Sequence, residues 1–250
     1  MQAYLTLTRR ELASYFVSIT GYVIIAASAF LLGLSFVVLV VKLQAEPTPM
    51  PVTEMFYLTP FFWLILLLAA PVITMRLFAL EKFSGTYETL MTTPVSDLQV
   101  VLAKFTAAVF FYMVAWLPLL GCLLILKHYS PSAGGMDVGS VGSMFLGIFL
   151  LGCMFMALGC FASAITRSQM VAAIVALALG FGIFLLSFLA DRFSLSAPWQ
   201  SQVLSAFALV DQMHDFARGV VDTRPVILYA SLTFFFLFLT LRAVESRRWK

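Results

Sequence analysis

The chain of 250 residues is far more apolar than a water-soluble protein of that length. Hydrophobic residues make up 62% of it and charged residues only 11%, whereas soluble domains carry about 25% charged residues. This composition excludes a soluble fold, and a net charge of +3 is too small to indicate a nucleic-acid partner. A bilayer admits only helices or closed barrels, and the long apolar runs lack the alternation of barrel strands. We therefore expect an all-α integral membrane protein, with residues 1–250 forming a single transmembrane domain.

The first segment, residues 3–17, is predicted to form an amphipathic helix. Leu5, Leu12 and Phe16 recur on one helical face, and the two arginines lie largely away from it. Such a helix lies along the membrane surface before the chain turns into the bilayer near Thr20. The charged residues at the centre of this segment are Arg9, Arg10 and Glu11.

Charged residues divide the rest of the chain into possible membrane spans. An Arg, Lys or Asp at the centre of a membrane helix costs about 3 kcal/mol, so uninterrupted apolar intervals mark the spans. Six intervals have about the 17 or more residues that a crossing needs. The six predicted spans lie near residues 20–42, 56–76, 104–126, 140–165, 169–190 and 225–242.

The distribution of basic residues predicts the orientation of these spans. Six spans place both termini on one side, and ten of the fifteen basic residues lie on that side. Because cytoplasmic segments carry the excess of Lys and Arg, both termini are predicted to be cytoplasmic. The ten are Arg9, Arg10, Arg76, Lys82, Lys104, Arg167, Arg242, Arg247, Arg248 and Lys250, and the others are Lys42, Lys127, Arg192, Arg218 and Arg224.

The segment between the second and third spans, residues 77–103, is predicted to be a folded element rather than a plain connector. Glu81 and Lys82 end an extension of the second helix, and Gly85 permits a turn. Thr86 can then cap the start of a short helix that crosses the cytoplasmic mouth of the bundle.

The remainder of this loop indicates where the short helix ends and what it presents. Glu88 falls in its first turn, near the positive end of the helix dipole, and Pro94 stops it. Its mixed face of Tyr87, Leu90 and Met91 suits docking on a soluble partner. A solvated connecting helix fits the composition equally well.

A resemblance to a known family is carried by the stretch PVITMRLFALEKFSGTYETLMTTPVSDLQVVLAKF. It resembles the signature loop of type-2 ABC exporter permeases, in which Arg, an acidic and a basic residue, SGT, Glu and Pro-Val-Ser follow in this order. The segments TRRELASYFVSITGYV, HDFARGVVDTR and LRAVESRRW are similar to the gliding-motility-associated subgroup. One departure is that Leu80 and Phe83 flank the pair Glu81–Lys82, where the family often has a second acid and a second base.

The resemblance implies how the chain obtains energy. In the family this loop is a coupling helix that sits in a cleft of a separate nucleotide-binding subunit, and the N-terminal helix is an elbow that clasps the same subunit. The chain has no Gly-Lys dipeptide and hence no P-loop, so we expect no cofactor in it and ATP with Mg²⁺ on a partner P-loop ATPase. The positions that match the family's contact are Glu81, Gly85, Thr86, Glu88 and Pro94.

Two further segments have open interpretations. The turn at Arg167, between the fourth and fifth spans, is either a second contact for the ATPase or a positive-inside anchor. The external loop 191–224 contains apolar residues at three- and four-residue steps, which predicts an amphipathic or re-entrant helix before the last span. In that loop His214 lies beside Asp211 and Asp215, and we interpret it as a surface histidine in preference to a metal or proton site.

Small residues on the fourth and fifth spans follow four- and seven-residue steps, which indicates close helix approach. Packing within one subunit is the preferred interpretation, and a dimer or pathway interface is the alternative. These residues are Gly152, Gly159, Ser163, Ala172, Ala176 and Gly180.

We therefore predict the permease subunit of an ABC transporter, an exporter that acts as a homodimer or as a heterodimer with a paralogous permease. An enzyme is disfavoured, because the six intervals contain no Asp, Glu or His for catalysis or metal binding. An ATP-driven envelope scaffold without a transported substrate and an ion-coupled secondary transporter are the alternatives. Other predicted partners are the lipid bilayer and an exported accessory protein, and the sequence does not indicate the substrate.

Overall fold

Helices form the regular structure of the computed structural model, which describes residues 2–45, 52–86, 95–129, 138–192 and 207–246. Within those ranges there are ten α-helices and no strands. They are α1 (Gln2–Val17), α2 (Ile19–Ala45), α3 (Val52–Tyr57), α4 (Pro60–Thr74), α5 (Ala79–Ser84), α6 (Asp97–Tyr129), α7 (Val138–Ile165), α8 (Gln169–Arg192), α9 (Leu209–Ala217) and α10 (Thr223–Glu245).

Six helical segments are long and apolar enough to cross a bilayer, so the predicted all-α membrane fold with six spans is confirmed. The second of them contains both α4 and α5. The six are Ile19–Leu43, Pro60–Ser84, Asp97–Tyr129, Val138–Ile165, Gln169–Ser187 and Thr223–Glu245.

Two helices begin at residues that the charge-free intervals do not indicate. The second predicted span, 56–76, starts inside α3, and α4 begins only at Pro60 because Thr59 has an extended backbone and proline suits the first turn of a helix. α6 begins at Asp97, about two turns before the predicted 104, and so includes Lys104. A charge can lie inside a long helix when the bundle supplies a partner for it.

The long helices alternate in direction, which gives the bundle two ends. At one end, Arg76 after α4 donates hydrogen bonds to Ser18 and Thr20 at the start of α2. At the opposite end, Ser143 near the start of α7 donates to the carbonyl of Phe216 in α9. We call these the Lys104 end and the Glu54 end, after the buried charged residue at each.

α7 is the central helix of the bundle. In its most apolar stretch of 18 residues, 67% of the residues are buried, whereas the corresponding fraction in α10 is 11%. The outer face of α10 exposes Phe234 and Phe238. The small residues of α7 face other helices of the same chain: a Cβ on Gly152 would lie 2.2 Å from the Tyr112 ring of α6. In the described chain, the small-residue stripe thus serves packing within the subunit, as we preferred from the sequence.

Candidate functional site

A buried lysine joins three segments at the Lys104 end. The Nζ atom of Lys104 lies 3.1 Å from Glu11 Oε1 in α1 and 2.8 Å from Glu81 Oε1 in α5, and only 2% of the residue is exposed. Lys104 itself belongs to α6, on the face that packs against α1. The first helix, the end of the second span and the start of the third span therefore meet at one ammonium group.

Arg10 completes this network. Its Nη2 atom lies 2.9 Å from Glu11 Oε1 and 3.4 Å from Glu81 Oε1, so two bases and two acids balance. Burying one charge of such a group alone is costly, whereas a balanced and hydrogen-bonded set is tolerated. The ring of Phe78 adds a cation–π contact, with its centroid 5.4 Å from Lys104 Nζ.

The network holds Glu11 in its charged form. Burial alone raises the pKa of Glu11, but the charge of Lys104 and the hydrogen bond from Arg10 outweigh burial, so the pKa lies below its ordinary value. The pKa of Arg10 is raised chiefly by its hydrogen bond to Glu11. Both groups are therefore charged at neutral pH.

Beside the network lies a cavity of about 560 Å³ between α1, the end of the second span and α6. Within the described chain the second carboxylate oxygen of Glu81, Oε2, is buried without a hydrogen-bond partner. An unpaired buried oxygen of this kind is energetically costly, and Glu81 itself lines the cavity. The cavity is lined by Arg10, Glu11, Ser14, Tyr15, Arg76, Leu77, Leu80, Glu81, Thr86 and Lys104.

The start of α5 is also hydrogen-bonded to the end of α7. The Ser163 hydroxyl accepts hydrogen bonds from the backbone N–H groups of Phe78 and Ala79, at 3.0 and 3.1 Å. One turn along α5, Lys82 Nζ donates to the carbonyl oxygen of Ala164. The end of the second span and the end of α7, next to the α7–α8 turn, are thus directly connected.

The other predicted site residues surround this connection. Gly85 ends α5 with a φ of 73°, a left-handed conformation that favours glycine, and Thr86 beyond it is exposed. Arg9 and Arg167 are also placed at this end, Arg9 on an exposed position of α1 and Arg167 in the α7–α8 turn. The predicted coupling-helix residues Glu88, Leu90 and Pro94 lie outside the described residues.

α1 buries polar residues beside part of its apolar face. Leu12 and Phe16 pack against the core, whereas Leu5 is 63% exposed and Glu11 and Tyr15 are buried. The Tyr15 hydroxyl donates to the carbonyl of Ile73 at 3.0 Å, and Tyr4 donates to the Thr106 hydroxyl at 3.0 Å. Polar contacts with α4 and α6 therefore orient this helix, which hydrophobic periodicity does not reveal.

Residues 42–243 match the model of a family described as ABC-2 family transporter protein. The chain belongs to the ABC-2 transporter family. It is the multi-pass permease subunit of an ABC transporter, and membership in this family generally implies an ATPase subunit as partner. The matched range includes Glu81, Lys104 and Arg167 but begins after α1. A search of curated proteins found no match.

The permease has a second buried ion pair, at the Glu54 end, which sequence reasoning missed. Glu54 in α3 is 2% exposed and accepts from Arg218 Nε and Nη2 at 3.0 and 3.1 Å. His214 Nε2 in α9 lies 2.8 Å from Glu54 Oε1, although the two residues are 160 positions apart. The one available signal was a glutamate inside the apolar run VTEMFY, where a charge needs a partner.

This contact corrects the surface interpretation of His214, whose side chain is only 29% exposed and bonded to Glu54. Among the described residues no three His, Cys, Asp or Glu side chains are arranged to hold a metal ion. Burial raises the pKa of Glu54, but the hydrogen bonds from Arg218 and His214 outweigh it, so the pKa is lower than the ordinary value. The carboxylate therefore stays charged and fixes α9 against α3.

Proposed function

We propose that the ATPase subunit docks at the Lys104 end of this permease and that the Glu11–Lys104–Glu81 network transmits its motion to the membrane helices. The single observation that carries the proposal is the bridge made by Lys104 between α1 and α5. A push on either segment must move Lys104 and with it α6, which crosses the whole bundle. Coupling through packed elements with two discrete arrangements is how such motions travel.

The surface around the network supports this docking site. Thr86 directly follows α5, and Arg167 lies in the turn that follows α7. Because hydrogen bonds of Ser163 and Lys82 join α5 to the end of α7, a single partner can contact both residues. The predicted coupling loop 77–103 also contains Glu88, Leu90 and Pro94, which follow Thr86 in the sequence. Glu88 and Pro94 are proposed partner contacts from the sequence resemblance, and Leu90 from the mixed face of the predicted short helix.

Charge distribution supports a cytoplasmic location for the Lys104 end. Basic residues outnumber acidic ones there, and cytoplasmic segments of membrane proteins carry this excess. With this orientation both termini are cytoplasmic, and the membrane is the inner membrane of a prokaryote. The basic residues described at this end are Arg9, Arg10, Arg76, Lys82, Lys104, Arg167 and Arg242.

The wider assembly follows from the same resemblance. Two permease chains, identical or paralogous, work with two ATPase subunits that hold ATP and Mg²⁺, while this chain holds no cofactor. Export is the proposed direction, an exported accessory protein is a further partner, and the gliding-motility-associated subgroup remains the closest resemblance. An envelope scaffold that passes motion to other proteins uses the same coupling without a substrate.

Purification from the native membrane in mild detergent tests the docking. Tagged permease is expected to retain a P-loop ATPase, and its absence would contradict the proposal. Glu11→Gln, which removes one charge from the network, is expected to weaken retention or to lower ATP hydrolysis by the complex. Arg224→Gln, a charge change at an exposed position of the Glu54 end, is the control and should behave like the parent.

A further inference from the structure

The short helix α9 covers the Glu54 end of the bundle and is held there by several polar contacts. Besides the ion pair to Glu54, the hydroxyls of Thr53 and Ser143 each donate to a carbonyl at the end of α9, those of Ala217 and Phe216, both at 2.6 Å. These three contacts come from α3 and α7 and fall in the last turn of α9 or on Arg218 directly after it. Earlier in α9, the backbone N–H of Val210 donates to Ser187 of α8 at 3.3 Å, and Gln212 accepts from the Tyr229 hydroxyl of α10 at 2.5 Å.

Apolar packing under α9 is tight and depends on a small residue. Met213 and Phe216 are buried, and a Cβ on Gly147 of α7 would lie 3.0 Å from atoms of both. α9 thus packs directly on the most buried helix of the permease. Its removal would open the bundle at the Glu54 end beside α7.

The connection after α9 is suited to a hinge. Arg218 ends the helix, and Gly219 follows with a φ of 91°, which other residues rarely adopt. The next residues, 220–222, are exposed, and Asp222 starts α10 by accepting a hydrogen bond from the backbone of Arg224. The chain can therefore change direction at this point, and movement of α9 also breaks the hydrogen bond that the Tyr229 hydroxyl of α10 donates to Gln212 at 2.5 Å.

We propose that Glu54 and Arg218, with His214, form a latch that holds α9 closed over the Glu54 end of the permease and releases it when the bundle opens there. An ion pair suits a releasable contact better than apolar packing alone. The side chain of Arg218 is 48% exposed, so it is solvated as soon as it leaves Glu54. Glu54 is 2% exposed with α9 in place, and we expect it to gain water when α9 moves.

The latch rests on the proposed function only for the event that releases it, which is the ATP-driven motion of the complex. The closed contact itself is a property of the isolated chain. Tests on the isolated permease therefore separate failure of the latch from failure of ATPase docking.

A cysteine introduced beneath α9 reports opening. Ser143→Cys places a thiol at a position that is 6% exposed, and a water-soluble maleimide in lipid nanodiscs measures how often α9 uncovers it. Arg218→Gln in this background is expected to raise the labelling rate about ten-fold, the factor associated with a lost hydrogen bond to a charged group. Arg224→Gln removes an arginine from the exposed start of α10 and should leave the rate unchanged.

Hydrogen exchange gives a second measurement on chains that keep Ser143. Amides of residues 209–217 are expected to exchange about ten-fold faster in Arg218→Gln than in Arg224→Gln. In the complex with the ATPase, ATP should raise maleimide labelling of the Ser143→Cys variant and have little further effect once Arg218→Gln is added. Equal labelling and equal exchange in the two arginine variants would overturn the latch, whatever the ATPase does.

Discussion

Lys104 and Glu81 form an ion pair of 2.8 Å although one lies near the start of α6 and the other in α5, 23 positions earlier. The same ammonium group holds Glu11 of α1. A lysine at this depth of a membrane protein is costly unless it is paired, so its presence fixes the positions of both acidic segments. The proposed coupling surface of the permease is therefore preorganised around one residue.

Lys104→Met is expected to destabilise the isolated permease by about 3 kcal/mol, because it leaves two carboxylates without their buried partner. Thermal unfolding in detergent, followed by fluorescence of the buried tryptophans, measures the change. Lys127→Met, an exposed lysine at the far end of the same helix, is the control and should shift the midpoint little. Equal shifts in the two variants would mean that the ion pairs contribute nothing to stability.

Gly152→Ala is expected to lower stability by about 1 to 3 kcal/mol through overpacking. The added Cβ would lie 2.2 Å from Tyr112, whose ring is 1% exposed and packs at 6.1 Å from Trp116, so it has little room to move. Gly142→Ala on the same helix meets no atom within 4 Å and should leave stability unchanged or slightly higher. Unfolding midpoints of the two variants, measured side by side, decide the prediction.

The Glu54 ion pair predicts a specific response to acid. Since the pKa of Glu54 in the folded chain lies below its ordinary value of 4.5, its contribution is complete above that value and is lost as the pH falls through the lower folded pKa. The stability difference between the parent and Glu54→Gln should therefore shrink as the pH is taken below about 4.5.

Unfolding midpoints of both proteins between about pH 7 and about pH 3 measure this difference. Asp215→Asn, a carboxylate change on the 54% exposed Asp215 side chain of α9, serves as the control for general acid effects. A difference between parent and Glu54→Gln that stays constant across the range would remove Glu54 as a charged anchor of α9.

Gly85→Pro is expected to uncouple the ATPase from the membrane helices while membrane insertion stays normal. Proline cannot adopt the φ of 73° that turns the chain at this position, so the loop must leave α5 in another direction. Gly85→Asn is the matched variant, because asparagine tolerates the left-handed region, and it should keep most of the coupling. ATP-dependent maleimide labelling in the Ser143→Cys background of the assembled complex is the measurement, and an unchanged response in Gly85→Pro would exclude this turn from coupling.

Much of the fold can be predicted from the sequence, because the free-energy cost of placing a charged side chain in the bilayer depends on that residue's own position along the chain. Charge-free intervals therefore indicate six spans without any knowledge of tertiary contacts. The start of α6 is not indicated by a charge-free interval, because Lys104 lies within the helix and is neutralised by Glu11, 93 positions away. Spacing along the chain carries no information about such a pairing.

The candidate site was predictable in part for the same reason. The resemblance pointed to Glu81 and Gly85 in the loop and to Arg10 and Glu11 in α1, but as two separate features. Their junction at Lys104 depends on how α1 packs against α6, where buried polar contacts lie beside the packing of Phe16 on Phe111. The Glu54 cluster was missed because its partners lie in α9 and just after it, a segment that local sequence indicates only as an amphipathic helix.

Site-specific photo-crosslinking in the assembled transporter tests the central claim most directly. A photoreactive residue at the exposed position Thr86, at the Lys104 end, is expected to form an adduct with the P-loop ATPase. The same residue at Val220, exposed at the Glu54 end, should form none. An ATPase adduct from position 220, or its absence from position 86 in a complex that retains the ATPase, would contradict docking at the Lys104 end.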